Sequence, residues 1–146
     1  MIGQNGIELI KSFEGFSETE YLCPAGKRTI GYGHVLEENE FYPQGITPTE
    51  AEIMLLDDIS HAESALNNLK DKLSGNQYDA LVSLVYNIGE GAFVNSTMYD
   101  YIRSGDLISA AGEFPRWCKI KRKGSRGLLK RRIKEMELFL NDCLEN

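Results

Sequence analysis

The sequence lacks a long apolar run and has few cysteines. No window approaches the roughly eighteen uninterrupted apolar residues of a membrane-spanning helix, and the N-terminus MIGQNGIELIKSFEG has no basic segment before an apolar core. We therefore expect a cytoplasmic protein with no signal peptide and no membrane anchor. Cys23, Cys118 and Cys143 show no CxxC spacing, so we expect reduced thiols, no disulfide framework, and no metal or other cofactor.

The composition is that of an ordinary globular domain, but its charge is unevenly distributed. The chain has 146 residues, of which 42% are hydrophobic and 26% charged, enough to bury a core without a metal or disulfide. Residues 116–134 carry ten Lys or Arg and no acid, although the net charge is −6. Such a block can bind nucleic acid, clamp another anion, or neutralise the acidic remainder. It contains no recognised nucleic-acid motif, and we expect no nucleic-acid partner.

The first part of the chain predicts a short helix followed by a small β lobe. The helix would be capped by Asn5 and end by Gly15. Its apolar positions recur at intervals of three residues: Ile7, Ile10 and Phe13. Residues 16–46 are rich in glycine, proline and aromatic residues, and TIGYG is typical of a strand entering a tight turn.

The sequence pattern after residue 46 predicts helices, and the pattern of the complete sequence predicts an α+β fold. Thr47-Pro48-Thr49-Glu50 has the pattern of a capping box with proline at the first helical position. We expect it to open a long connecting helix over 48–73, followed by a helical lobe over 76–146. In that lobe we expect a helix near 77–88, shorter helices near 97–104 and 107–114, and a final helix near 128–144. Together these elements predict a single domain with a ligand cleft between its two lobes.

Residues 12–34, SFEGFSETEYLCPAGKRTIGYGH, place several chemically useful groups in one glycine-punctuated stretch. Glu14 at a helix end can donate a proton to a leaving oxygen if partial desolvation keeps it protonated, or it can be a solvated glutamate. Cys23 can act as a thiolate or be a small half-buried thiol. Thr29 can hold a water through its hydroxyl or merely suit a strand.

This stretch resembles the active-site region of the phage-type lysozymes, also called endolysins (glycoside hydrolase family 24). Their pattern is Glu, eight residues, Asp or Cys, five residues, Thr, and then a strand ending in Gly-His. QYDALVSLVYNIG at 77–89 resembles the family's segment in the helical lobe, and GLLKRRIKEMELF at 127–139 is similar to its closing helix. The resemblance covers almost the whole chain, with the motifs in the expected order.

The resemblance implies a lysozyme-like fold and a peptidoglycan hydrolase. Such an enzyme cleaves the β-1,4 bond between N-acetylmuramic acid and N-acetylglucosamine. We expect a monomer that reaches the wall from the host cytoplasm through a membrane pore, a holin, and so lyses the host. Because Cys23 stands where many members have Asp, the alternative is an idle lysozyme-fold module that binds peptidoglycan or a protein.

The resemblance also implies roles for the groups in residues 12–34. Glu14 would be the acid and Thr29 would position the attacking water. Cys23 would be a nucleophile or base, with Glu18 or Glu20 able to supply the negative charge that a neutral thiol lacks. The stereochemistry of hydrolysis stays open at this point.

The same resemblance implies roles for further residues. His34 would pair with Asp58 of the long helix, link the two lobes, and have a raised pKa that stabilises the fold at acid to neutral pH. Arg131 would reach Glu14 and line the substrate groove. Substrate contacts are also expected from Tyr32, Asn87 and Phe93. Other basic residues could line the cleft: Lys119, Lys121, Arg122, Lys123 and Arg132.

Overall fold

The computed structural model describes residues 1–120 and 122–144, without the side chains of residues 143 and 144. The expectations for Lys121 and for the Cys143 thiol lie outside this part. The helices are α1 Gln4–Glu14, α2 Pro48–Ser64, α3 Gly75–Ile88, α4 Glu90–Val94, α5 Thr97–Ser104, α6 Leu107–Ala111 and α7 Arg126–Leu144. The strands are β1 Ser17–Leu22, β2 Arg28–Gly31, β3 His34–Val35, β4 Lys119–Ile120 and β5 Lys123–Gly124. The predicted α+β class is confirmed.

The chain divides into two compact units. Ile10–His61 forms what we call the sheet unit, and Met1–Leu9 with Ala62–Asn146 forms the helical unit. In the sheet unit, β1, β2 and β3 make an antiparallel sheet in that order. Its core is a buried apolar cluster: Ile30, Leu36, Ile46 and Ala51.

Helix α2 begins as predicted but ends early. The N–H of Glu50 donates to Oγ1 of Thr47, and the N–H of Thr47 donates to Oε1 of Glu50, both at 3.1 Å. The prediction that the helix reaches residue 73 is wrong, because it ends at Ser64. After Ser64 the N–H groups from Ala65 to Asn67 bond to carbonyls three residues back. This tighter turn suits asparagine, a poor helix former.

Helix α1 begins without the predicted cap. Asn5 already lies inside the helix, whose first residue is Gln4, so its predicted role as the cap is wrong. The carboxylate of Asp79 on α3 takes that role instead, accepting from the N–H of Gly3 at 2.8 Å and of Gly6 at 3.0 Å. A carboxylate satisfies the free N–H groups of a helix start and complements its dipole.

The helical unit is built around the packing of α3 against α7. The rings of Phe114 and Phe139 meet edge to face, with centroids 5.5 Å apart. Strands β4 and β5 pair antiparallel within the basic block, which was not predicted from the sequence. In the described part of the chain, no helix is both long enough and apolar enough to cross a membrane.

Candidate active site

The Glu14 carboxylate lies against the turn between β2 and β3. Glu14 is the last residue of α1 and is half-buried. At Gly33 in that turn, a Cβ atom would lie 2.6 Å from Oε2 of Glu14, and φ is +83°. Glycine is required at this position for two reasons. Other residues rarely adopt this backbone conformation, and a side chain would collide with the Glu14 carboxylate.

If Glu14 is the acid that the resemblance implies, Gly33→Ala should lower hydrolytic activity about 100-fold, because the new Cβ would push the Glu14 carboxylate out of place. Misplacing a catalytic group by about 1 Å can cost that much. The displaced atom is the end of a flexible side chain, so the stability loss should be only the ~1–2 kcal/mol of a positive φ. Gly105→Ala is the control, since Gly105 has φ +85° and an added Cβ would meet nothing within 4 Å. Initial rates and urea unfolding of both variants check this; equal activity losses would contradict it.

The sheet register places Thr29 between two partly exposed side chains. Thr29 on β2 stands opposite Tyr21 of β1 and Val35 of β3, and residues directly opposite in a sheet share a face. Thr29 is only 2% exposed, and its hydroxyl donates to the carbonyl of Lys27 at 2.9 Å. With its proton used in this way, the Thr29 hydroxyl can still accept a hydrogen bond from a water molecule through its oxygen.

Cys23 lies in the turn that joins β1 to β2, and its surroundings favour the thiolate. Its N–H donates to the carbonyl of Lys27 at 2.9 Å. The pKa of the thiol is lowered, chiefly by the backbone N–H of Lys27 and further by the N–H of Ala25, the Thr29 hydroxyl and the Lys27 charge, while burial opposes the shift. A thiolate is the form of cysteine that acts as a nucleophile or a base.

Tyr21 joins this group, although it was not predicted from the sequence. The pKa of its hydroxyl is raised, first by burial and then by the charges of Glu14 and Cys23. Tyr21 lies on β1 directly opposite Thr29 on β2, and residues directly opposite in a sheet share a face. This register is not recorded in the spacing of the sequence motif.

His34 is held by two carboxylates rather than one. Its Nδ1 lies 2.7 Å from Oδ2 of Asp58, and its Nε2 lies 3.2 Å from Oε2 of Glu40. The contact with Glu40 was not predicted from the sequence, because the loop after β3 determines where Glu40 lies. Both partners belong to the sheet unit, so the expectation that the pair links the two lobes is wrong. Burial lowers the pKa of His34, but the two carboxylates outweigh it and the pKa is raised.

The raised pKa of His34 predicts a loss of stability with rising pH. The stabilisation is fully present below the unfolded value of about 6.5 and is lost as pH rises through the raised folded value. We expect Asp58→Asn to flatten this slope, because the amide cannot pair with the imidazolium charge. Asp57→Asn, at an exposed neighbour, should retain it. Free energies of unfolding from pH 6 to 9 measure the effect, and a slope unchanged in Asp58→Asn would contradict it.

Tyr32 is packed within the sheet unit. Its ring lies against the core cluster, 5.5 Å from the ring of Phe16, with the ammonium group of Lys11 5.3 Å from its centroid. The ring is half-buried, so a substrate contact through its open edge stays a prediction.

The remaining predicted substrate residues lie in the helical unit and differ in exposure. Asn87, near the end of α3, is exposed. The prediction that Phe93 contacts sugar is wrong, because its ring has no exposed surface and packs edge to face on Tyr99. Sequence pattern alone does not distinguish an aromatic residue at a binding surface from one in the core.

Arg131 and Arg132 are both buried, at 4% and 0% exposure. Arg131 donates to Oε2 of Glu135 at 3.3 Å and to the carbonyl of Ser83 at 3.2 Å. Its contacts with Glu14 and with substrate stay predictions. Arg132 lines no groove, so that expectation is wrong. Lys119 in β4, Arg122, and Lys123 in β5 are exposed, and a role in the cleft stays a prediction for them.

An open cavity of about 320 Å³ lies in the helical unit. Its lining includes Ser96, Thr97, Glu113, Arg116 and Trp117, and none of these was among the predicted site residues. Trp117 is half-buried, which leaves part of the indole facing the cavity. In the described part of the chain, no group of three or more His, Cys, Asp or Glu could hold a metal ion.

A helix-end glutamate against a small antiparallel sheet, in a chain whose other part is helical, is the arrangement expected of a lysozyme-like glycoside hydrolase. The family model for phage lysozyme matches residues 11–135. The chain belongs to the phage lysozyme family.

Individual relatives agree with this assignment. An endolysin of Acyrthosiphon pisum secondary endosymbiont phage 1 is 43% identical, over 94% of this chain and 97% of that protein. An endolysin of Bacillus phage PZA is 46% identical over 99% of this chain, which spans only 57% of that longer protein. The solved endolysin from Escherichia coli O157:H7 phage FAHEc1 superposes with a TM-score of 0.87 at 33% identity, covering 97% of this chain and 94% of that one.

Proposed function

We propose that this protein is an endolysin, a muramidase that hydrolyses the β-1,4 bond between N-acetylmuramic acid and N-acetylglucosamine, with Glu14, Cys23 and Thr29 as its catalytic residues. Peptidoglycan hydrolysis is the function of the family to which the chain belongs. The observation that carries the site assignment is the placement of Glu14 against Gly33, in the same unit as the thiolate-favouring turn of Cys23.

The first chemical step is proton donation by Glu14. A glycosidic bond breaks when the leaving oxygen receives a proton while positive charge develops on the sugar carbon. The Glu14 carboxyl would supply that proton and become a carboxylate. A negative thiolate at Cys23 would stabilise the oxocarbenium-like transition state in place of the Asp found in many family members.

The second group acts by one of two routes. If Cys23 or Thr29 holds a water, that water loses a proton to the thiolate and attacks the sugar carbon, and the product is inverted. If Sγ attacks the carbon itself, a thioglycosyl enzyme forms and water then cleaves it with Glu14 as base, and the product is retained. Proton NMR of freshly released products distinguishes the routes by the anomer present before mutarotation.

The proposed bond specificity is tested with purified peptidoglycan. Soluble products are reduced with borohydride and their terminal sugars identified by mass spectrometry. A muramidase produces reduced N-acetylmuramic acid ends. Reduced N-acetylglucosamine ends, or new peptide amines without new reducing sugars, would overturn the assignment to this bond.

The route to the wall and the oligomeric state are further parts of the proposal. We propose a monomer that accumulates in the host cytoplasm and reaches peptidoglycan through a holin pore. Expression with and without a holin should give lysis only with the pore. Lysis at the same time in both cultures would contradict this route, and sedimentation equilibrium would test the monomer.

A further inference from the structure

The start of α1 contains the chain's single Asn-Gly pair, Asn5-Gly6. Asparagine loses ammonia readily before glycine, because glycine has no side chain to hinder ring closure. The Gly6 nitrogen forms a bond to Cγ of Asn5, the Cγ–Nδ2 bond breaks, and the Gly6 proton leaves with the ammonia. Water then opens the resulting succinimide to aspartate or isoaspartate, and isoaspartate adds one carbon to the backbone.

The structure holds the two reacting groups of this pair in separate contacts. The N–H of Gly6 donates to Oδ2 of Asp79 on α3 at 3.0 Å, and Nδ2 of Asn5 donates to Oδ1 of Asn76 at 3.1 Å. Gly6 and Asp79 are both buried. Ring closure therefore requires the helix start to open, because the Gly6 nitrogen must leave the carboxylate and approach the Asn5 side chain.

Packing requires the glycine that makes this pair reactive. A Cβ atom at Gly6 would lie 2.7 Å from Cδ1 of Ile2 and 2.9 Å from Cβ of Asp79, closer than real Cβ contacts. The same carboxylate also accepts from the N–H of Gly3 at 2.8 Å. The reactive pair is thus a consequence of how closely the start of α1 packs on α3.

We propose that Asn5-Gly6 is a latent deamidation site, and that Asp79 keeps it unreactive by holding the start of α1 closed. The carboxylate acts in two ways. Its negative charge disfavours the amide anion that would attack Asn5, and its hydrogen bonds cap the helix so that this segment seldom opens. Protein that does open here is modified irreversibly, and the damage falls on the helix that ends in Glu14.

Asp79→Asn tests the role of the carboxylate with little change in shape. Asparagine offers one acceptor oxygen in place of two, so the N–H of either Gly3 or Gly6 would face an –NH₂ donor. We expect deamidation of Asn5 in the folded protein to become about tenfold faster, the effect of losing a helix cap. The tryptic peptide ending at Lys11 contains Asn5 as its only asparagine, and mass spectrometry of this peptide measures the rate.

Asp106→Asn is the matched control. Asp106 caps α6 by accepting from the N–H of Ser109 at 3.1 Å, so this variant makes the same chemical change at another helix and should leave the Asn5 rate unchanged. Asn5→Gln removes the reactive side chain. In the Asp79→Asn background it should prevent the loss of thermal stability that accompanies deamidation, because glutamine would have to form a larger ring.

The wild type provides a test that needs no variant. In urea, where the chain is open, we expect deamidation of Asn5 to be at least about 100-fold faster than in the folded protein. Hydrogen exchange of the Gly6 N–H should be slowed by folding to a similar degree, since the same opening of the Asp79 contact precedes both reactions. This comparison decides the inference if Asp79→Asn fails to fold.

Three results would overturn the inference. Equal Asn5 rates in the wild type and Asp79→Asn, or an equal acceleration in Asp106→Asn, would remove the role of Asp79. Equal rates in folded and urea-unfolded wild type would remove the protection itself. Folding that slows deamidation far more than exchange of the Gly6 N–H would show that release from Asp79 is not the controlling step. None of these measurements uses peptidoglycan, so they leave the proposed function to its own tests.

Discussion

Glu14→Gln is expected to lower kcat/KM for peptidoglycan hydrolysis about 10²- to 10⁴-fold, the usual contribution of a general acid. Glutamine has the size and hydrogen-bonding reach of glutamate but cannot donate a proton of comparable acidity. The side chain is half-buried at the end of α1, where the amide fits the same space. Release of soluble fragments, followed as an initial rate, measures the loss.

Glu18→Gln is the matched control for this prediction. Glu18 is an exposed residue of β1, and its replacement should leave the rate within about twofold if Cys23 itself, rather than Glu18, supplies the negative charge of the site. A Glu14→Gln rate within tenfold of the wild type, at unchanged stability, would remove Glu14 as the acid. A large loss of rate in Glu18→Gln would instead indicate that the Glu18 carboxyl on β1 takes part in catalysis.

Glu135→Gln is expected to reduce the free energy of unfolding by about 3–5 kcal/mol, the cost of breaking a buried ion pair from one side. Glu135 lies 3.3 Å from a guanidinium nitrogen of Arg131 and of Arg132, and all three side chains are buried. The neutral amide would leave two buried cations without the acid that faces them. Urea unfolding measures the change.

The exposed pair on the same helix provides the comparison. Lys134 and Glu137 lie 3.5 Å apart and both are more than half exposed. Because water and salt screen such a pair, Glu137→Gln should cost less than about 1 kcal/mol. Equal costs for the two variants would show that burial of the Glu135 cluster adds nothing to stability.

Features governed by neighbours in sequence were predictable, and those governed by distant residues were not. The start of α2 follows from a capping box only four residues long. The start of α1 does not, because Asp79, which caps it, is more than 70 residues away. The end of α2 at Ser64 was not predictable from the apolar pattern, since Leu66 and Leu69 continue the helical spacing and are buried although they lie beyond the helix.

The candidate site shows the same division. The spacing of Glu14, Cys23 and Thr29 identified groups that the structure places in one unit. Tyr21 and Glu40 were missed because their neighbours are set by strand register and by a loop, neither of which a motif records. The hydrogen bond from Arg132 to Asn87, which was also not predicted, joins α7 to α3 across 45 residues of sequence.

The decisive experiment compares the wild type and Glu14→Gln on one preparation of peptidoglycan, recording both bound protein and the sugar ends released. If Glu14 is the acid of a muramidase, the two proteins bind equally, the wild type releases N-acetylmuramic acid ends, and Glu14→Gln releases almost none. Equal release by both proteins would contradict the assignment of Glu14. Binding without release by the wild type would contradict the enzyme itself and favour a wall-binding module.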